Sequence, residues 1–341
     1  MNTYYRLCQL IGDDSLWPEL EQIAIQGVTD GSMAAMEFYR NAWKQQEQLT
    51  SDKNPSTLAD LQATCVILKT CHASLHTIRE HLGCGLSYLG EETVQYNDFL
   101  RDKLGDQILN TIHRRGRFFI RRDNMLRVIF DAIDGTENFN RGLPLFCSAI
   151  AILVDDQVRV SAIYDPIHHH VHSALLPGPY ENPEQEAKAF FWEVGGNRID
   201  MIEEAKKRQQ KSLKEEVIGI HLTRSDDKKL EEFVAAPFGA QESVLERLCK
   251  KSRGIYALNS GLFAMKEVAR GALGVFVNNF TRPWDVAAGE VLIRACGGKV
   301  TDFYGNPITY SSAERISVVA AKEHLHSEIM DILKTEKKEQ S

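Results

Sequence analysis

The run Met125-Leu126-Arg127-Val128-Ile129-Phe130-Asp131-Ala132-Ile133-Asp134-Gly135-Thr136-Glu137-Asn138-Phe139 decides how the rest of the chain is read. Its first half is apolar, with β-branched and aromatic members, and predicts a strand ending at Asp131. Asp131 and Asp134 then stand at the strand end, followed by a glycine and a hydroxyl. Carboxylates so placed offer the hard oxygen ligands that Mg²⁺ prefers. If a helix begins after Asp134, the N–H groups of Gly135 and Thr136 point at an anion. A glycine there also removes the Cβ that would keep a phosphate away. An N-capped turn would use the same three residues, because Asp-Gly-Thr serves that purpose too.

Three more acidic motifs lie outward from this one. Gly90-Glu91-Glu92-Thr93 follows the apolar stretch Leu86 to Leu89. Adjacent glutamates on a strand face opposite ways, so one would face a site and the other support it. Farther upstream, Pro55-Ser56-Thr57-Leu58-Ala59-Asp60 sets Asp60 near the start of a long amphipathic helix. Downstream, Trp284-Asp285-Val286-Ala287-Ala288-Gly289 opens an Ala/Gly-rich helix on a carboxylate, ahead of Gly297-Gly298. Each motif alone is equally well read as a cap or a solvated pair.

The surrounding pattern is mixed. Residues 16–48 and 57–82 show helical spacing of apolar positions. Cys147 to Val154 and Val158 to Tyr164 read as two strands around an Asp-Asp-Gln turn. Residues 181–216, rich in Glu, Lys and Gln, read as a surface helix or an inserted segment. The last third alternates strands (Val217 to His221, Gly274 to Asn278, Lys299 to Phe303, Ile316 to Ala320) with helices (Asp226 to Phe233, Gly261 to Arg270, Lys322 to Leu333). A hairpin favours an antiparallel sheet, and alternation favours parallel pairing under helices. An α+β or α/β architecture, layered as an αβαβα sandwich, accommodates both.

Composition narrows the function classes. The chain has 341 residues, 26% charged and 43% hydrophobic, as ordinary globular proteins do. No run of eighteen apolar residues suggests a membrane span, and the first fourteen residues carry no secretory pattern. Seven scattered cysteines without a C-x-x-C pair suggest reduced thiols in a cytoplasmic setting. A formal net charge of -7 argues against a nucleic-acid partner. One local exception is Arg114, Arg115, Arg117, Arg121 and Arg122, which read as a solvated loop, as a rim that attracts an anionic substrate, or as a nucleic-acid patch, in that order.

Taken together, Asp131-x-Ile133-Asp134-Gly135-Thr136, Trp284-Asp285 and Gly297-Gly298, with Gly90-Glu91-Glu92 and Thr57-x-x-Asp60 in the right order before them, resemble the signature of the inositol monophosphatase family. That family sits in a superfamily of lithium-sensitive, metal-dependent phosphatases with fructose-1,6-bisphosphatases and nucleotide 3′-phosphatases. The resemblance runs from about Asp60 to Leu333. It implies that Glu91, Asp131, Asp134, the Ile133 carbonyl and Asp285 ligate two or three Mg²⁺ ions. Thr136 and Glu91 would orient the attacking water, and Asp60 would support Thr136. Gly135, Thr136, Ser260 and Asn278 would contact a small phosphorylated substrate, attacked directly and in line. The same resemblance implies a homodimer. The chain is expected to divide into an N-terminal α+β part (1–180) with most metal ligands and a C-terminal α/β part (181–333) with substrate-side residues, and the polar tail (334–341) is expected to fray. Asn138-Phe139 favours the inositol or sugar phosphatase branch.

Three departures bear on specificity. Ala132 replaces the usual proline, and the Glu91–Asp131 interval is longer than usual, so an insertion occupies 93–126. Asn278 stands where inositol monophosphatases have a glutamate that contacts inositol hydroxyls, so a charge is lost. A sugar bisphosphatase or nucleotide 3′-phosphatase is therefore the alternative, and a silent binding protein on this fold is the reading from another class. His168, His169, His170 and His172 are expected on a surface strand, and Cys147 and Cys296 as small core residues.

Overall fold

The computed structural model describes residues 16–45, 55–95, 98–112, 126–178, 182–221 and 242–334. Two long helices come first, α1 (Leu16–Gln45) and α2 (Pro55–Leu82). Leu20, Ile23, Ala24 and Val28 of α1 are buried at helical spacing, as are Leu68, Cys71 and Leu75 of α2. These stripes lie on a seven-stranded sheet of order β1-β2-β3-β4-β5-β6-β7. Its strands are β1 (Leu86–Gly90), β2 (Leu126–Asp134), β3 (Cys147–Val154), β4 (Gln157–Asp165), β5 (His170–Leu175), β6 (Lys188–Glu193) and β7 (Ile199–Asp200). Only the β1–β2 pair is parallel; the other neighbours run antiparallel.

A second sheet, of order β11-β12-β10-β8-β9, is made of β8 (Val217–Ile220), β9 (Gly254–Ala257), β10 (Val275–Thr281), β11 (Gly298–Thr301) and β12 (Ile316–Lys322). Helix α3 (Val244–Lys251) lies before β9, α4 (Gly261–Arg270) before β10, α5 (Ala287–Ala295) before β11, and α6 (Glu323–Lys334) ends the described chain. Helices α4 and α5 are buried nearly all round and share one apolar cluster with inward residues of both sheets. Leu248 of α3 and Leu325 and Ile329 of α6 cover the far face of the second sheet. Five layers result, helix–sheet–helix–sheet–helix, which is the αβαβα sandwich expected from the strand and helix alternation.

Register places the acidic motifs together. Gly90 at the end of β1 lies opposite Phe130, so Glu91 emerges beside Asp131. A side chain at Gly90 would stand 2.7 Å from the Phe130 ring, so only glycine permits this approach. The β2–β3 ladder shifts register between Asp131 and Asp134, a bulge that re-aims both carboxylates at the strand end. Just beyond, Tyr39 of α1 packs on Phe139 and Phe146 with ring centroids 5.3 and 5.0 Å away, fixing the Asp-Gly-Thr segment to the helical layer.

Several expectations are corrected. Residues 188–200 are not a surface helix: they form β6 and β7, because Ala189, Phe190, Phe191 and Trp192 supply an apolar strand face despite the charged neighbours. The short helix Met201–Lys206, capped by Asp200, and a 3₁₀ turn at Leu213–Glu215 follow them. The 93–126 insertion, where it is described, contributes to the core. Leu100, Leu104, Leu109 and Ile112 join the core, and Ile112 bridges to Tyr88. His172 is not on a surface: it is fully buried, its ring 4.9 Å from that of Phe191. The arginine cluster, the Asp226 to Phe233 helix and residues 335–341 of the expected tail lie outside the described residues. Among the described residues no helix is long and apolar enough to cross a membrane, and the six cysteines are free thiols.

Candidate active site

Asp131, Asp134 and Asp285 converge where the two sheets meet α4 and α5, with one carboxylate oxygen of each within 4.8 Å of the others. Local hydrogen bonds fix each one. The Asp131 Oδ1 accepts the Ile133 amide at 3.0 Å. Asp134 sits under the N-terminus of α4, where its Oδ2 accepts the Ser260 hydroxyl at 2.5 Å and the Leu262 amide at 2.7 Å. The Gly261 amide reaches its Oδ1 at 3.2 Å. Asp285 ends a single 3₁₀ turn, Pro283–Asp285, just ahead of α5. Its Oδ2 accepts the Thr281 hydroxyl at 2.7 Å and the Arg282 amide at 2.9 Å.

The β1 end supplies the remaining acids. The two glutamates do not continue the strand; they open the short helix Glu91–Gln95, braced by Thr93, whose hydroxyl accepts the Gly90 amide at 2.8 Å. Glu91 and Glu92 therefore leave the same turn in different directions, which corrects the strand-based division while keeping one at the site. Glu91 feels the charges of Asp285 and Asp134, whereas Glu92 is buried and sits with Asp60.

The electrostatics of this cluster are those of carboxylates awaiting a counter-charge. Burial, then the neighbouring Asp134 and Asp285, hold Asp131 well above its ordinary pKa. Burial and Asp285 push Asp134 up to about 7, with the Ser260, Leu262 and Phe263 hydrogen bonds opposing. Glu91 also rises to about 7, through burial and the Asp285 and Asp134 charges, opposed by Arg282 and Arg315. Glu92 reaches about 7 through burial and Glu91. Asp60 is raised well above its usual range by burial, Glu92 and Glu91. So many like charges in a recess are stable only when protonated or when a cation joins them. An all-oxygen donor set of this kind fits Mg²⁺ better than a soft metal.

The sequence-predicted residues fare differently. Gly135 adopts the left-handed conformation (φ 93°) and an added Cβ would lie 2.9 Å from both the Leu145 carbonyl and the Ser260 Cβ, so this glycine is obligatory. It heads the short helix Thr136–Asn140. The Thr136 hydroxyl donates to the Ile133 carbonyl at 3.0 Å, while Asp60 lies with the glutamates. Ser260 is buried, its hydroxyl engaged by Asp134. Asn278 is buried in β10, and its side-chain oxygen accepts the Phe280 amide at 2.9 Å. Asn138 ties two loops together by donating to the Leu145 and Leu258 carbonyls, both at 2.7 Å.

Sequence reading missed four neighbours. Thr281 holds Asp285, and a hydroxyl four residues before the acid was the signal available. His221 follows β8; burial lowers its pKa and the Asp285 carboxylate opposes. Its place beyond the carboxyl end of a parallel strand, where α/β sites gather, was a usable signal. Arg282 and Arg315 bring positive charge to Glu91, and Arg315 comes from a loop no motif marks.

The inositol monophosphatase family's sequence model matches residues 18–338. An inositol-1-monophosphatase of Bacillus subtilis (strain 168) is 28% identical over 205 residues, 60% of this chain and 66% of that protein. A fructose-1,6-bisphosphatase/inositol-1-monophosphatase of Thermotoga maritima is 30% identical over 205 residues, with the same 60% and 66% coverage. The matched stretch thus spans just under two thirds of the length of these two curated relatives. In three dimensions, SuhB of Mycobacterium tuberculosis aligns with a TM-score of 0.62 at 18% identity, covering 93% of this chain and 96% of that one, a likeness of fold.

Proposed function

The chain belongs to the inositol monophosphatase family, and from that premise we propose that it is a Mg²⁺-dependent phosphomonoesterase acting on a small phosphorylated alcohol. The observation that carries this reading is the convergence of Asp131, Asp134 and Asp285 within 4.8 Å, with Glu91 facing them. Asp131, Asp134, Asp285 and Glu91, with the Ile133 carbonyl, would hold two or three Mg²⁺ ions. When bound, the metal supplies positive charge to the phosphate and makes a water nucleophilic near neutral pH.

The chain's own groups do the rest. Asp134 is oriented by Ser260 and the first amides of α4, and Asp285 by Thr281 and the Arg282 amide, so neither has to reorganise as charge develops. The amides of Gly135 and Thr136, at the head of their short helix, would receive phosphate oxygens. Thr136 and Glu91 would orient the attacking water, with Glu91, ionised once a cation neutralises the cluster, able to accept a proton from it. The Thr136 hydroxyl donates to the Ile133 carbonyl, which leaves its oxygen free to accept a hydrogen bond from that water. Asp60 acts through Glu91 and Glu92 and thus on the position of the nucleophile.

A sugar bisphosphatase is the second reading, supported by the loss of charge at Asn278 and by the dual name of the Thermotoga maritima relative. A cytoplasmic location and a homodimeric state belong to the same proposal. Phosphate release with and without Mg²⁺ tests it, with lithium inhibition as the expected companion. Metal-independent release, or none while Mg²⁺ is bound, would overturn it.

A further inference from the structure

Helix α4 supplies the amides that hold Asp134, and its body is tied to the first sheet by a charge pair that the hydrolytic chemistry does not use. Register sets the geometry. Asp134 pairs with Cys147, and Ser148 pairs with Tyr164, so Asp165 is level with Cys147 on the next strand. Asp134 and Asp165 therefore lie in one row across β2, β3 and β4, two strand spacings or about 10 Å apart. Helix α4 crosses this row. Its first turn holds Asp134 through the Ser260 hydroxyl and the Gly261, Leu262 and Phe263 amides. One turn on, the Lys266 Nζ lies 3.3 Å from the Asp165 Oδ2.

Both members of this pair are enclosed and fixed. The Lys266 and Asp165 side chains are each 1% exposed. An ammonium has three N–H groups, and three partners surround this one. They are Asp165, the Glu267 carboxylate at 2.6 Å, and the Phe263 ring face with 3.6 Å to its centroid. Asp165 is fixed in turn, since its Oδ1 accepts the Ile167 and His168 amides at 3.2 and 3.1 Å. The His168 Nδ1 stands 3.0 Å from its Oδ2. Around the pair, Leu262, Ala264, Met265 and Val268 of the same helix pack into the apolar cluster. A buried ion pair adds little net stability over apolar side chains that fill the same space. What it adds is direction. Apolar burial is non-directional, whereas a charge pair fixes two groups against each other. One turn beyond the Asp134 contacts, it sets the rotation and axial position of α4.

We propose that Lys266 is a positioning residue for the metal site. Paired with Asp165, it holds α4 so that the Gly261, Leu262 and Phe263 amides stay on Asp134 and keep that carboxylate with Asp131 and Asp285. Lys266 acts through α4 and not on the substrate. Its consequence for turnover rests on the phosphomonoesterase reading, while the tie between α4 and Asp134 can be measured without turnover.

The test uses the full chain and the double variant Lys266→Met, Asp165→Asn. That variant keeps an acceptor for the Ile167 and His168 amides and leaves Glu267 paired with Arg270. Mg²⁺ affinity is measured by calorimetry without substrate, and hydrogen exchange at the Leu262 and Phe263 amides by NMR without metal. Steady-state hydrolysis of inositol 1-phosphate and fructose 1,6-bisphosphate is followed against Mg²⁺ concentration. The double variant should bind Mg²⁺ about tenfold more weakly or worse, as when groups that orient metal ligands are removed. Both amides should exchange faster, and kcat should fall while KM at saturating Mg²⁺ stays near the native value. Val268→Ala controls for general loosening of the same helix, and should melt lower with native Mg²⁺ affinity. Native Mg²⁺ affinity or native exchange in a folded double variant overturns the assignment, as does an equal loss of Mg²⁺ affinity in Val268→Ala. If the double variant does not fold, Asp165→Asn alone is read by the same measures and decided by the same outcomes. Weaker Mg²⁺ binding and faster exchange, with no hydrolysis by the native protein, support the positioning role and remove the hydrolytic reading instead.

Discussion

The two sides of the cleft are built on opposite terms. On the first-sheet side, Asp131 and Asp134 sit at a strand end that backbone amides, a hydroxyl and an obligatory glycine leave no room to move. On the second-sheet side, Asn278, Arg282 and Arg315 flank a bulge, and one of the arginines is exposed. The first side carries two buried carboxylates positioned by backbone amides and a hydroxyl; the second contributes Asp285 but sets it among the neutral Asn278 and two arginines, positioned by hydrogen bonds and by stacking on Phe280. Chemistry that must hold a metal needs the former, since a carboxylate displaced by an ångström loses the ion. On the proposed function, selection among alcohols would fall to the latter, where a side-chain substitution leaves Asp131 and Asp134 in place.

The contrast breaks most sharply at Asp131. Asp131→Asn should lower Mg²⁺-dependent phosphate release by on the order of a thousandfold or more, because the charge on the cluster is lost. Thermal melting should show the variant no less stable than the native protein without metal, since a buried like charge has been removed. Near-normal turnover would remove Asp131 from the site.

Asp134 should behave differently, although it stands three residues away on the same strand. Asp134→Ala leaves the Ser260 hydroxyl and the first amides of α4 without their acceptor, and should cost about 2–3 kcal/mol in denaturant unfolding as well as the activity. A variant that is inactive but fully stable would show that the carboxylate does not anchor α4. Gly135→Ala should cost about 1–3 kcal/mol through its left-handed backbone and the 2.9 Å approach to the Leu145 carbonyl. Unfolding unchanged from the native protein would contradict the backbone conformation assigned to this turn.

A smaller effect should appear in the pH dependence of stability. Glu91, Glu92 and Asp134 each stand at about 7 in the folded protein. Unfolded, they titrate at about 4. Between these values the folded state binds more protons than the unfolded one, so stability falls as pH rises. The metal-free protein should melt on the order of 5 °C lower at pH 7.5 than at pH 5 from this source. Added Mg²⁺ should offset the loss above pH 7, because the ion binds the ionised carboxylates. Melting that is insensitive to both pH and Mg²⁺ would mean that the cluster is not the destabilised group of acids described here.

How far the sequence could be read follows the same division. Asp131, Asp134, Gly135 and Thr136 lie within six consecutive residues at a strand end, so local chemistry was enough to bring them out. Trp284-Asp285 was legible because the turn before α5 is also local. Glu91 and Glu92 were assigned to a strand, because an apolar stretch gives no sign that it stops at Gly90; the close approach of Gly90 to Phe130 is a tertiary fact. β6 and β7 were hidden by the Glu, Lys and Gln around a short aromatic core strand. The burial of His172 depends on Phe191 across the ladder and was equally invisible. Arg315 joins the cleft only through the β10–β12 register, which no spacing within either segment reveals.

The most direct test of the central claim is inorganic phosphate release from inositol 1-phosphate, fructose 1,6-bisphosphate and adenosine 3′,5′-bisphosphate, with Mg²⁺, with chelator, and with Asp131→Asn as control. The account predicts release from at least one of the first two that requires Mg²⁺ and is abolished by the chelator and by the substitution. Release that persists in chelator or in Asp131→Asn, or no release from any of the three by the Mg²⁺-bound protein, would contradict it.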